Sequence, residues 1–181
     1  MTCSPDKLLE LLDEAGLRHW NAPDTKDGCI VAFMGEHATR PTVMVHVRSD
    51  AGGNVLTATV TAFLRVPEHP HLPVLMQAML HEAYLTNLGQ WEMDHRDGEV
   101  RVTVQLAVFD TQPTARQVHR IVSSAAQLAD RAWPRLLQIL ETGEDPALAE
   151  GGEDPVRDEL RRLQTRMQAL LGTPREPGDR N

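Results

Sequence analysis

The most constraining stretch of this sequence runs from His71 to Phe109, where the hydrophobic period changes from that of a helix to that of a strand. Between Leu72 and Leu88, the residues Leu72, Leu75, Met76, Met79, Leu80 and Ala83 recur at steps of three and four, which places them on one helical face. Such a face needs a sheet to cover. After Asn87 and Gly89 the period falls to two. Trp91 and Met93 alternate with Gln90, Glu92 and Asp94, and Val100, Val102, Val104, Leu106 and Val108 follow in the same rhythm. Arg96-Asp97-Gly98-Glu99 between these runs predicts a hairpin turn, with Asp-Gly accommodating positive φ. The unit is a helix followed by an antiparallel hairpin on which it packs, and it contains no recognisable catalytic constellation.

Upstream, Ser4-Pro5 supplies an N-cap and a first-turn proline for a short amphipathic helix that carries Leu8, Leu9, Leu11, Leu12 and Ala15 and stops at Gly16. Asn21 to Gly28 is polar and turn-rich. Cys29 to Met34 is apolar on both sides of a two-residue repeat, the pattern of an interior strand. Pro41 then introduces Val43, Val45 and Val47 in alternation, and the loop from Asp50 to Asn54 hands over to Val55–Leu64, so these two strands form a hairpin. In the latter strand Leu56, Ala58, Val60, Ala62 and Leu64 share one face and Thr57, Thr59 and Thr61 the other. Downstream, Val118, Ile121, Val122, Ala125, Leu128, Ala129, Ala132, Leu136 and Leu140 hold one face of a long helix across Pro134, ending near Gly143. The order helix, three strands, helix, two strands, helix implies an α+β fold, with an antiparallel sheet of about five strands and helices mainly on one face.

Residues 1–143 form the expected domain. Glu141 to Pro155 has six acidic residues and no basic ones among glycines and prolines, which marks 144–155 as a flexible acidic linker. Residues 156–172 read as an amphipathic helix, because Val156, Leu160, Leu163, Met167 and Leu170 follow the four-three spacing of a coiled-coil seam. Two heptads are marginal in isolation, so this segment must dock, pair or stay partly disordered. Residues 173–181 are expected to be a disordered terminus.

With 181 residues and 41% hydrophobic content the chain supports a single core. A net charge of −8 and a pI near 5.4 oppose direct binding to nucleic acid or an anionic membrane and favour basic partners. No apolar run approaches the roughly 20 residues of a membrane span, and a cytoplasmic location is expected. Cys3 and Cys29 specify no disulfide framework and read as reduced thiols.

The order of elements adds a resemblance. The motif Leu75-Met76-x-x-Met79-Leu80 leading to Asn87, the strand Gly89-Gln90-Trp91-Glu92-Met93-Asp94, and the ending Ala129-Asp130-x-x-Trp133-Pro134-x-Leu136 resemble the YbjN family. That family is similar in fold to the small acidic chaperones of type III secretion. The resemblance covers roughly residues 6–143 and implies an α+β domain that dimerises and binds other proteins without catalysing a reaction.

Direct reading of candidate sites agrees. His69-Pro70-His71 and His81-Glu82 lack the His-x-x-x-His spacing of a zinc helix, so no metal and no cofactor are expected; an enzyme built on the histidines near residue 71 is the alternative reading. Asp94-His95 beside Asp97 has no placed nucleophile and reads as a polar hairpin tip. Cys29, in an apolar strand, reads as an inert thiol. Methionine is abundant, with seven residues against three phenylalanines and one tyrosine, and methionine suits surfaces that fit several apolar partners. Trp91, Met93, Met76 and Met79 are the expected protein-binding residues. The expected function is that of a homodimeric, chaperone-like adaptor for a basic protein client, such as a protein that itself handles nucleic acid.

Overall fold

The first helix, α1 (Pro5–Glu14), begins where the sequence places it, because the Ser4 side chain accepts a hydrogen bond from the Lys7 amide and Pro5 needs no partner at the first helical position. Residues 2–22, 28–148 and 166 are described by this computed structural model. After α1 come β1 (His19–Asn21), β2 (Gly28–His37), β3 (Arg40–Asp50), a single 3-10 turn at Ala51–Gly53, β4 (Val55–Arg65), α2 (Leu72–Leu85), β5 (Gln90–Asp94), β6 (Glu99–Ala107) and α3 (Ala115–Thr142). The strands form one antiparallel sheet in the order β1-β2-β3-β4-β6-β5.

Most sequence-based elements appear within a few residues of their expected bounds, and three differ in an instructive way. Strand β1 raises the strand count to six, since three residues are too few to show a period. The helix expected to reach Leu88 ends at Leu85, where Thr86 turns to extended backbone. The hairpin β5–β6 forms as expected, but its second strand sits inside the sheet, beside β4. Burial explains that order. Val100, Val102 and Val104 of β6 are fully buried, whereas Trp91 and Met93 of β5 have half-buried side chains that an edge strand can accommodate.

One face of the sheet carries Cys29, Val31, Val45, Val47, Leu56, Ala58 and Val60, all buried, and the helices cover it. Helix α3 spans the middle. Its alanines 125, 129 and 132 let it approach the strands, while Val118, Val122, Leu136 and Ile139 fill the space between. At about 1.5–3 kcal/mol for each fully buried Val, Leu or Ile, this layer supplies the main stabilisation of the fold. Thr114 and Gln117 close a capping box at the start of α3, and the helix continues through Pro134 to Gly143. Gly143 has φ +78, and a Cβ there would meet the His71 ring at 2.6 Å, so the stop needs glycine.

Among the described residues the opposite face is open and divided. Towards β4 and β6 it is polar: Thr57 donates to Asp50, Thr103 donates to Glu92, and Glu92 accepts from Arg101. Towards β1–β3 it is mixed: the registers Trp20↔Ile30 and Ala32↔Met44 place exposed Trp20 and Met44 there, beside His46 and Arg48. The expected linker 144–155 begins inside the packed structure, since Asp145 is buried. The expected helix 156–172 and terminus 173–181 lie outside the described residues apart from Arg166, as does the greater part of that linker.

Candidate functional site

The sheet has two edges, and that of β2 is only partly covered. Strand β1 pairs with Cys29, Ile30 and Val31; beyond Val31 no described strand lies along the outer side of β2, up to His37. Met34 in this stretch is 89% exposed. An uncovered strand edge offers main-chain hydrogen bonds to an incoming segment. Here the chain limits that freedom at one point, because the Glu36 amide donates to the Asp130 carboxylate of α3 at 3.2 Å.

From this edge a groove of about 660 Å3 crosses α3 towards the end of α2. It is lined by Glu36 and His37 on one side, Leu85, Thr86, Asn87 and Leu88 on the other, and Ser124, Gln127, Leu128, Asp130 and Arg131 along its floor. Leucines at its far wall, Glu36 at its near wall and Asp130 on its floor make it an amphipathic slot with acidic character. Arg131, the cation in it, is 3.5 Å from Glu82.

The four residues expected at a protein contact are distributed differently by the structure. Met76 is exposed on the outward face of α2, whereas Met79, three residues on, is buried in the core. Trp91 and Met93 turn towards the helical side of the sheet and are half-buried. Trp91 stacks edge-on to Phe63 with centroids 5.5 Å apart, and its Nε1 is buried with no acceptor among the described residues. The histidines also separate. His69 and His71 lie 5.5 Å apart, ring centre to ring centre, while His81 is engaged elsewhere. Among the described residues no three His, Cys, Asp or Glu side chains are grouped to hold a metal ion. Asp94 is occupied by Arg96, whose side-chain hydrogen bonds hold its carboxyl well below the ordinary carboxylate range. Burial pushes the Cys29 thiol up to about 11, and no described helix is long and apolar enough to cross a membrane.

Two constellations have no counterpart in the sequence-based expectations. The first is an ion cluster between α2, α3 and the segment after Gly143. Arg135 donates through Nε and Nη2 to both oxygens of Asp145 at 2.8 and 2.6 Å, through Nη1 to Glu82 at 2.8 Å, and through Nη2 to His81 Nδ1 at 3.0 Å. A signal for it exists in the sequence. Glu82 continues the apolar row Leu75, Met79 at helical spacing, and a charge on a core-facing row requires a cation. The second is Arg40, whose guanidinium lies 4.3 Å from the centre of the Phe63 ring and 5.0 Å from that of Trp133.

Burial raises the Asp145 carboxyl, but the hydrogen bonds from Arg135 and the Ala147 amide, with the Arg135 charge, outweigh it and leave the carboxyl below its ordinary value. With its folded pKa under the unfolded one, Asp145 contributes fully to stability above the unfolded value of about 3.9, and the contribution is lost as pH falls through the folded value. Urea unfolding should therefore show stability declining below about pH 4, with a shallower decline in Asp145→Asn. Identical slopes would remove Asp145 from the acid response.

No family model matches the sequence, and no curated protein matches it either. Among solved structures the chain is similar to YbjN from E. coli, provisionally assigned as a transcription regulator. The match has 14% identity and a TM-score of 0.52, and it covers 71% of this chain and 90% of that one. The fold is YbjN-like. At this identity the likeness carries the architecture: the YbjN-like arrangement of three helices on a curled antiparallel sheet is what the resemblance in the sequence implied.

Proposed function

We propose that this YbjN-like domain is a non-enzymatic, chaperone-like adaptor that binds an extended segment of a basic protein client along the β2 edge. The observation that carries the reading is the stretch of β2 beyond Val31 that no described strand covers, bordered by the groove that Glu36 and Asp130 make acidic and Leu85, Leu88 and Leu128 make apolar. Main-chain pairing would hold a client without regard to its sequence, and the groove would add side-chain preference. A net charge of −8 attracts a basic segment over about a Debye length, near 8 Å at physiological salt, so charge acts chiefly on the association rate. A nucleic-acid-handling protein has the required chemistry, which also accommodates the regulatory assignment of the similar E. coli structure.

The reading includes a cytoplasmic homodimer, with the exposed Trp20 and Met44 of the open sheet face as the surface that a second copy covers. Light scattering should give twice the 20.2 kDa chain mass at micromolar concentration; a monomer mass would overturn the dimer. For the client, capture from native extract followed by binding kinetics supplies the test. Added salt and Glu36→Lys should each slow association. Leu88→Asp should instead speed dissociation by about tenfold, the equivalent of roughly 1.4 kcal/mol, because a buried apolar contact is lost. An acidic partner, or association that ignores salt, would sink the proposal.

A further inference from the structure

Helix α2 presents an apolar row to the outside as well as to the core. Met76, Leu80 and Tyr84, at steps of four along one face, are 47%, 72% and 79% exposed. The helix has a single acid, Glu82, which is buried and turned to Arg135, so the outward row carries no charge. It is a long, narrow apolar surface of the kind a second helix covers.

The chain leaves the described fold beside this surface. Asp145 is held by the same Arg135 that binds Glu82 of α2, and Gly143 abuts His71 at the start of α2. Residues 149–155 can extend at most about 25 Å, and the 14 residues of α2 span about 21 Å. Every part of the row is therefore within reach of Val156. From there Val156, Leu160, Leu163, Met167 and Leu170 form a seam of about the same length. Arg166, a described residue of this stretch that falls between seam positions, is helical and exposed, as the polar side of a docked helix would be. A helix this short is marginal in water unless its apolar side is covered. A tether of this length also gives the chain's own α2 a millimolar advantage over other copies.

We propose that residues 156–170 form a helix that lies on the Met76, Leu80 and Tyr84 row of α2 in the same chain. The docked helix closes the helical layer over the α2 side of the domain and leaves the β2 edge untouched, so this inference stands apart from the client reading.

Limited trypsin digestion of the full chain, followed by mass spectrometry, tests it. Cleavage at Arg161, Arg162 and Arg166 should be about tenfold slower than at Arg175, which lies beyond the seam, because proteolysis tracks the population of the released state. Leu80→Asp on α2 and Leu163→Asp on the seam should each bring the rates within about twofold of one another. Gln164→Asp, off the seam, should change nothing. Tyr84, the sole tyrosine, supplies a second readout. Its nitration should accelerate in Leu163→Asp, a substitution outside the described fold. Equal cleavage in the unmodified chain, protection that survives both seam-breaking substitutions, or unchanged Tyr84 nitration would overturn the proposal. Protection lost on dilution would overturn it as well, in favour of a second copy on α2.

Discussion

Arg135→Met lowers the stability of this fold by about 3–5 kcal/mol, the cost of breaking a buried ion pair from one side. Methionine approximates the length and volume of the arginine stem, so the loss measures charge and hydrogen bonding more than a cavity. What remains after the substitution is the cause. Glu82 and Asp145 are both buried, and Arg135 is their close cationic partner, at 2.8 Å and 2.6 Å. Burial works against the arginine charge, but the bonds to Asp145 and Glu82 outweigh it and keep the guanidinium protonated. Removing the arginine leaves two carboxylates in a space that penalises each of them. Thermal denaturation should show a fall in Tm on the order of 10 °C for a domain of this size. The combination Arg135→Met, Glu82→Gln and Asp145→Asn should recover much of the loss, since neutral groups need less compensation than charges. A single-substitution loss under about 1 kcal/mol would place the cluster among solvent-screened surface pairs.

Phe63→Ala costs a comparable amount, about 3–5 kcal/mol, for a different reason. The ring joins three parts of the molecule: Trp91 of β5 meets it edge-on at 5.5 Å, Trp133 of α3 meets it edge-on at 5.4 Å, and Arg40 of β3, which also reaches the Trp133 ring at 5.0 Å, covers it. Truncation opens a cavity and also strips Arg40 of the nearer of its two aromatic rings, and desolvation already lowers the pKa of that arginine. Phe63→Leu separates the two contributions. It keeps most of the volume, so its loss should stay near 1.5 kcal/mol plus about 0.5–1.5 for each aromatic pair removed. Urea titration gives the energies, and tryptophan emission reports the site, because two of the three tryptophans flank the ring. Unchanged emission in Phe63→Ala would contradict the contacts.

The strand β4 shows how legible such features are. Its alternation of Leu56, Ala58 and Val60 with Thr57 and Thr59 reads directly as a strand with one core face, and the structure buries the first set beneath the helices. Phe63 breaks the alternation. It falls in the register shift between Val60 and Leu64 and is buried all the same. A period of two locates residues only while the ladder is regular, and a bulge rotates the side chains that follow it. Helix α2 hides its orientation for another reason. Its apolar residues occupy nearly the whole circumference, so spacing grouped Met76 and Leu80 with Leu75 and Met79, whereas packing buried only the latter two.

Alone, the sequence determined the local order: the capped starts of α1 and α3, the glycine stop at Gly143, the valine alternations, the hairpin before Gly98, and therefore the α+β class with an antiparallel sheet. Those properties depend on neighbours within a few residues, where propensity and periodicity act. Tertiary structure alone decided that β6 lies inside the sheet and β5 at its edge, that β1 exists, and that no described strand covers β2 beyond Val31. It also decided that Arg135 joins Glu82 and Asp145, 53 and 10 residues away. These arrangements depend on which surfaces compete best for burial once the chain is compact, and that competition joins residues whose sequence separation carries no period to read.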